Sequence, residues 1–326
     1  MENRLCYHYL YLTEYHGLVK TIAENRRQEL QVLFNPLIEK FGSKGWSLIL
    51  VGSDGKQERH PQSKTEVVLL FKKKDHKADE MVRELKTLTS QSPDPIEFTE
   101  IKVLEDEQSP RSFYNGQPNQ CFPDRVLNAS FLLGDDDIFI QSRKQVLSEM
   151  SEESELGRKI REELKKQLKS YKKALISGQY RGQFIFDENN QYYFETDDWK
   201  KARMGFKMGP LRAVQRKLDI LTLNAIKQGN LTIDDVSENC SSNTCERIDF
   251  LAKKGILDEN QVGIIIEAYL WFLREYHRAQ ELFKDSSRQE VISCSFYQEE
   301  FKQYRQVLLD FLNLSPKLSQ KKRQER

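Results

Sequence analysis

Residues 47–71 read SLILVGSDGKQERHPQSKTEVVLLF, and this stretch decides the fold that the sequence predicts. It contains two short apolar runs, at 47–51 and 66–71, which are typical of buried strands. Between the runs lies a polar loop that begins with Gly52 and Ser53. A glycine after a strand lets the backbone approach a phosphate, and N–H and hydroxyl groups can donate to its oxygens. The stretch predicts a candidate phosphate-binding turn between two strands, with an ordinary turn as the alternative.

The flanking sequence predicts an α+β fold with a small mixed sheet. Apolar residues recur at helical spacing over residues 1–42, and Gly42 is expected to end that helix. Downstream, residues 77–90 predict a helix, and the alternation over 96–103 predicts a half-exposed strand. The segment 125–133 is interpreted as a short helix that ends at Gly134.

The second part of the chain is expected to be mostly helical. A charged helix is predicted over 152–175, and two aromatic runs, at 184–186 and 192–194, predict a small hairpin. Three further helices are predicted near 209–227, 258–283 and 296–313. We therefore expect one domain over 1–145, a helical domain for a substrate or partner over 146–315, and a basic disordered tail over 316–326.

The composition argues against several classes of function. The chain has 51 basic and 50 acidic residues, so no overall field favours a nucleic acid or an anionic membrane as partner. No apolar run approaches the roughly 18 residues that a membrane helix needs. The five cysteines are scattered, which fits a reducing cytoplasm better than a disulfide framework.

The loop resembles the phosphate-binding motif of the polymerase-β-like nucleotidyltransferase superfamily. It is most similar to the N-terminal region of the bacterial PII-uridylyltransferase family, whose segment has the form GGxGRxELHPxSDxD before an apolar strand. Ser53 and Lys56 are mild variants of that form. The residues that fall in register are Gly52, Gly55, Glu58, His60, Pro61 and Ser63.

Three downstream segments extend this resemblance to most of residues 1–290. Residues 124–135 resemble the family's LLEARLLAGD helix and cap, and 206–212 resemble its KxGPGGLRD segment in shortened form. Residues 266–274 resemble the EAxxFLxRxR helix of its helical domain. A related bacterial family with the same two domains and unassigned substrates fits almost as well.

The resemblance implies a site for a nucleoside triphosphate, UTP or ATP. Its phosphates would be held at the turn and by two basic residues that flank a Gly-Pro pair in the second domain. The alternative is that these two residues only form the start of a surface helix and bind no ligand. The expected nucleotide-binding residues are Gly52, Ser53, Gly55, Lys56, Lys64, Lys207 and Arg212.

The metal-binding part of the motif departs from the family pattern. In the family, two aspartates of the SDxD unit hold Mg²⁺, and this chain has Lys64 and Glu66 at those positions. Glu66 remains the expected metal ligand, but the charge of Lys64 opposes a divalent cation. The third carboxylate is Glu97 or Glu100, because strict alternation along a strand allows only one of them to face Glu66. Glu100 is taken as the catalytic partner of Glu66. Mg²⁺ is therefore expected to bind weakly or not at all.

Three functions are compatible with these residues. The favoured hypothesis is a catalytically impaired nucleotidyltransferase-like protein in the cytoplasm that binds a nucleotide or a protein partner. The first alternative is a divergent Mg²⁺-dependent enzyme that transfers a nucleoside monophosphate to a protein or small molecule. The second alternative is a scaffold that binds no nucleotide.

Two other polar features are interpreted as structural. The run Asp135-Asp136-Asp137 could suggest a metal site, but aspartate is a favoured N-cap and suits the positive end of a helix. His60 is expected to be a turn residue before Pro61, and His277 a surface or packed residue of an amphipathic helix.

Overall fold

The computed structural model describes residues 2–61, 63–73, 76–104, 126–177, 185–186, 192–193, 207–282, 293–294 and 298–314. The predicted 316–326 tail lies outside these residues. The chain forms two compact units, and neither is continuous in sequence. One unit comprises Gly17–Ile160 with Leu231–Arg247, and the other comprises Met1–His16, Arg161–Asn230 and Ile248–Arg326. The division at 145/146 stays a prediction.

The elements confirm the predicted α+β class. The strands are β1 (Trp46–Val51), β2 (Thr65–Phe71), β3 (Ile96–Val103), β4 (Ser130–Gly134), β5 (Ile185–Phe186), β6 (Tyr192–Tyr193) and β7 (Ser293–Cys294). The helices are α1 (Glu2–Phe41), α2 (Gly52–Gly55), α3 (His76–Gln91), α4 (Asp136–Ser151), α5 (Glu155–Ser177), α6 (Arg212–Lys227), α7 (Ile233–Asn239), α8 (Thr244–Lys253), α9 (Glu259–Leu282) and α10 (Gln298–Asn313). A π-helical turn, Lys207–Leu211, precedes α6.

The first unit is built on a mixed sheet of four strands in the order β3-β2-β1-β4. β2 pairs with β3 in parallel, whereas β1 pairs with β2 and β4 in antiparallel fashion. Every residue of β1 is buried, as expected for a central strand covered on both faces. On one face, Leu48 and Leu50 pack with Val67 and Leu69 against apolar residues of α1 and α3.

The prediction of a helix over 125–133 was wrong, because Ser130–Gly134 forms the edge strand β4. Among the described residues of that segment, Val126 and Leu127 alone are helical. The apolar run Phe131-Leu132-Leu133 is too short for its period to distinguish a strand from a buried helix. Pairing with β1, which leaves Leu132 fully buried, decides the conformation.

The other predicted elements agree more closely with the structure. α1, β1, β2, α3, β3 and the hairpin β5–β6 lie where the patterns placed them. Two helices, α7 and α8, were not predicted, because each is short and lies within a polar stretch. α7 lies within the segment Leu231–Arg247, which belongs to the same compact unit as the sheet, and α8 begins in that segment.

The second unit is mostly helical and has an aromatic core between α9 and α10. The ring of Trp271 lies 4.9 Å from that of Phe272 and 5.5 Å from that of Tyr304, measured between centroids. Lys217 of α6 donates to the carbonyl of Leu312 (3.2 Å), which places a cation at the negative end of α10. None of the described helices is long and apolar enough to cross a membrane.

Candidate functional site

The candidate turn begins where the central strand β1 ends. Gly52 has a φ of 69°, a left-handed conformation that residues with a side chain rarely adopt, and it opens the short helix α2. Val51 pairs with Glu66 across the ladder, so the turn and the start of β2 lie together. A Cβ atom built on Gly52 would lie 3.6 Å from the Oε2 atom of Glu66. The structure therefore brings two of the predicted site residues into contact distance.

Ser53 and Lys64 differ in their exposure to solvent. Ser53 is half-buried, and its carbonyl accepts a hydrogen bond from the Glu58 N–H at 2.9 Å, which closes the turn. Lys64 lies just before β2 and is exposed. Glu66, two residues further along the chain, is half-buried.

Gly55 and Lys56 have structural roles that account for their presence. A Cβ on Gly55 would lie 2.5 Å from the carbonyl oxygen of Leu50 and 2.8 Å from that of Asn128. Gly55 is therefore required by close backbone packing. The ammonium group of Lys56 is buried and lies 3.4 Å from a carboxylate oxygen of Glu58. The predicted contact of these two residues with phosphate stays a prediction.

A buried ion pair inside the loop was not predicted from the sequence. One terminal nitrogen of Arg59 donates to both carboxylate oxygens of Asp54, at 2.9 and 2.7 Å, and to the hydroxyl of Thr65 at 3.1 Å. Arg26 of α1 donates to the same hydroxyl at 3.3 Å. Burial raises the pKa of the Asp54 carboxyl, although the charge of Arg59 opposes that shift.

No sequence signal identifies this pair as buried, because charged residues in a polar loop are normally exposed. His60 is also buried, and its carbonyl accepts from the Ser63 N–H at 2.8 Å. This bond confirms that His60 is a turn residue. The loop is thus an ordered element of the unit, tied to β2 and α1.

The pairing of β2 with β3 gives the ladder positions of the two candidates for the third carboxylate, Glu97 and Glu100. Glu97 is the partner of Glu66 in the parallel ladder, and Glu100 is the partner of Val68. Strict alternation would place Glu97 and Glu100 on opposite faces. A β-bulge between these two pairs adds one residue to β3. As a result, the ladder partners of Glu97 and Glu100 are two residues apart in β2, although the glutamates themselves are three residues apart in β3. Which of the two side chains faces Glu66 stays a prediction.

Lys207 and Arg212 belong to the helical unit, whereas the turn belongs to the other. Lys207 begins the π-helical turn and Arg212 begins α6, so both lie at a helix start as predicted. Arg212 donates to the side chain of Gln215 at 3.2 Å. Their contact with nucleotide phosphates stays a prediction.

The other polar candidates have structural partners. Asp135 precedes α4 as expected, but its side chain does not cap the helix. Its carboxylate instead accepts from the backbone N–H of Gly45 and from Lys44, both at 3.3 Å. His277 is a packed residue, and its Nδ1 lies 2.5 Å from the hydroxyl of Tyr15.

Within the described part of the chain, no group of three or more His, Cys, Asp or Glu side chains is arranged to hold a metal ion. Compared with models of protein families and with curated proteins, the chain has no match. The geometry of the turn and the residues that it brings together are therefore the basis for a functional assignment.

Proposed function

We propose that this chain is a nucleotidyltransferase-fold protein of the PII-uridylyltransferase type that has lost most of its catalytic capacity and binds a nucleotide. The observation that carries the proposal is the turn at Gly52, which has a left-handed backbone and lies directly beside Glu66. Resemblance in the motif and this local geometry point to the same phosphate-binding surface. The proposed ligand is the triphosphate of UTP or ATP.

The groups at the turn suit a phosphate. The backbone N–H groups of a glycine turn can donate to phosphate oxygens, and the turn here begins at Gly52. The Ser53 hydroxyl can donate to a phosphate oxygen. Lys64 supplies a positive charge on the exposed side. Glu66 opposes an anion here, so the proposed affinity is moderate and sensitive to salt.

The same residues fit a pair of magnesium ions poorly. A two-metal site needs carboxylates that bridge both ions, and Mg²⁺ prefers oxygen ligands in octahedral geometry. Lys64 occupies the position of the first family ligand, and a protonated amine cannot coordinate a metal. We therefore derive no catalytic step through Mg²⁺. The protein would act by presenting the bound nucleotide, or a surface that changes when it binds, to a protein partner in the cytoplasm.

One observation favours an active enzyme as the second candidate. The bulge in β3 places the ladder partners of Glu97 and Glu100 two residues apart in β2, and the first of these partners is Glu66. Acidic residues at these ladder positions could provide oxygen ligands for a rearranged metal site. Such an enzyme would transfer a nucleoside monophosphate to a protein or small molecule.

Calorimetric titration with UTP and with ATP, with and without Mg²⁺, distinguishes the candidates. The informative variants are Ser53→Trp, which fills the turn, and Lys64→Asp, which restores the family residue. Lys86→Asp is the matched control, because it reverses an exposed charge on α3 in the same unit.

We expect binding without Mg²⁺ that is lost in Ser53→Trp, weakened in Lys64→Asp and unchanged in Lys86→Asp. Binding that requires Mg²⁺ and strengthens in Lys64→Asp would favour the active enzyme instead. If neither nucleotide binds under any condition, the scaffold hypothesis remains and the proposal is wrong.

A further inference from the structure

Residues from a distant part of the sequence hold the backbone of the candidate turn. The hydroxyl of Ser242 donates to the carbonyl of Gly55, and the side-chain amide of Asn243 donates to the carbonyl of Lys56 at 3.0 Å. Each of these pairs is separated by 187 residues in sequence. All four residues are buried. Two consecutive backbone carbonyls of the loop thus accept hydrogen bonds from side chains of another segment of the chain.

A third contact extends this arrangement to the end of the loop. The backbone N–H of Thr244, the first residue of α8, donates to a carboxylate oxygen of Glu58 at 3.3 Å. A carboxylate at the N-terminus of a helix is favourable, because it meets the positive end of the helix dipole. Glu58 therefore links the loop to α8 while its other oxygen lies near Lys56.

The segment 242–244 is itself fixed in place. The side-chain oxygen of Asn243 accepts from the N–H groups of Cys245 and Glu246, so Asn243 caps α8. Glu246 forms an ion pair with Lys20 of α1. Before the segment, Arg143 of α4 donates to the carbonyl of Cys240 at 2.8 Å. The residues on both sides of Asn243 are thus bonded to α1 and α4, while its own amide donates to the loop.

These bonds matter because the carbonyls that accept them are removed from water. A buried carbonyl without a partner loses the hydrogen bonds that water would make with it. Gln57, which follows the contacted residues, has a φ of 55°, which is strained for a residue other than glycine. A strained conformation persists where its surroundings fix it, and here the segment 242–244 supplies part of that constraint.

We propose that Asn243 is a positioning residue for the candidate phosphate turn: its amide fixes the loop 52–58 in the conformation that receives a nucleoside triphosphate. The role of this loop in receiving a nucleoside triphosphate rests on the proposed function, whereas the role of Asn243 in fixing the loop does not. Asn243 acts on the proposed ligand surface at Gly52 and Ser53 through the carbonyl of Lys56.

Amide hydrogen exchange of the full chain, followed by mass spectrometry, tests the effect on the loop. The N–H groups of Gln57 and Glu58 bond to carbonyls within the loop, so their exchange reports its opening. Asn243→Asp is the chosen variant, because aspartate still caps α8 but cannot donate to the Lys56 carbonyl. Thr232→Ala is the control, because it removes the capping box of α7, elsewhere in 231–247.

We expect exchange in peptides covering 53–60 to become about tenfold faster in Asn243→Asp, as for the loss of one buried hydrogen bond. Thr232→Ala should leave these peptides unchanged. Equal exchange in Asn243→Asp and wild type, or equal acceleration in Thr232→Ala, would overturn the proposal. If Asn243→Asp fails to fold, Ser242→Ala, which removes the bond to Gly55, must accelerate the same peptides.

Nucleotide titration separates this inference from the proposed function. Where the wild type binds UTP or ATP, the dissociation constant should rise about tenfold in Asn243→Asp and stay constant in Thr232→Ala. Where the wild type binds neither nucleotide, the proposed function fails, yet the exchange experiment still decides whether Asn243 positions the loop. Accelerated exchange with unchanged nucleotide affinity would overturn the ligand part alone.

Discussion

The carboxylate of Glu66 lies against the backbone of Gly52, 3.6 Å from the place where a side chain on that glycine would begin. The antiparallel pairing of β1 and β2 produces this contact, because Val51 and Glu66 are partners in the ladder. The carboxylate therefore lies beside the turn that we propose to receive phosphate, and its charge affects any ligand there.

Gly52→Ala should destabilise the protein by about 1–2 kcal/mol, because alanine is strained at a φ of 69°. It should also weaken nucleotide binding by shifting the turn. Gly42→Ala is the matched control, since Gly42 has a φ of 74° and an added Cβ there would meet no other atom within 4 Å. Both variants should lose similar stability in urea unfolding, but only Gly52→Ala should lose affinity. Equal affinities would exclude a binding role for the Gly52 turn.

Gly55→Ala should lower the free energy of unfolding by about 3 kcal/mol, since a methyl group would overlap two backbone carbonyls. The Leu50 carbonyl belongs to the central strand β1, and Asn128 lies just before the edge strand β4, so neither can move without disturbing the sheet. Gly263→Ala in α9 serves as the comparison, because nothing lies within 4 Å of its added methyl. Urea unfolding should show no loss, or a gain, for Gly263→Ala. If Gly55→Ala lowers the free energy of unfolding no more than an ordinary surface substitution does, the added methyl group does not overlap these carbonyls and the prediction is wrong.

Replacing Arg59 by methionine should destabilise the protein by about 3–5 kcal/mol, because the buried carboxylate of Asp54 would lose its charged partner. Arg83→Met, at an exposed position of α3, controls for the loss of an arginine as such. Thermal unfolding monitored by circular dichroism compares the two variants. Similar melting temperatures for both would show that the Asp54–Arg59 pair contributes little.

The Asp54 carboxyl should make stability depend on pH in a definite direction. Its pKa is raised by burial, so the folded state binds the proton more tightly than the unfolded state. The stabilisation that the protonated Asp54 provides is fully present when the pH is below the ordinary carboxyl pKa of 3.8. It is lost as the pH rises through the raised pKa of the folded state. The stability of the wild type relative to Asp54→Asn should therefore increase as pH falls from neutral towards that value.

Chemical unfolding of both proteins at several pH values measures this difference. Asp79→Asn, which changes an exposed carboxyl in α3, controls for the general response to acid. A wild-type advantage that decreases on acidification would indicate that the charge of Arg59 outweighs burial at Asp54.

Glu66→Gln should strengthen metal-free binding of UTP or ATP by about two- to fivefold, because it removes a negative charge beside the proposed phosphate. Glu24→Gln, on the exposed side of α1, should leave the affinity unchanged. Calorimetry in the presence of a chelator measures both. Unchanged or weaker binding in Glu66→Gln would contradict a phosphate site beside this carboxylate.

The sequence by itself determined the strand–turn–strand unit at 47–71, the helices α1, α3 and α5, and the α+β class. Local periodicity carries this information, because it records which residues of a segment are apolar and whether they recur every two or every three to four residues. The turn after β1 was predicted from Gly52, but its left-handed backbone was not, although glycine adopts that conformation readily.

Only the tertiary structure decided that β4 is a strand, that the register of β2 and β3 shifts between Val67 and Val68, and that Asp54 and Arg59 are buried. It also brought Asn243 to the carbonyl of Lys56. Each of these outcomes depends on which distant segment covers a polar or short apolar stretch. Local sequence patterns do not contain that information, because the hydrogen bonds and buried area that settle it come from residues far along the chain.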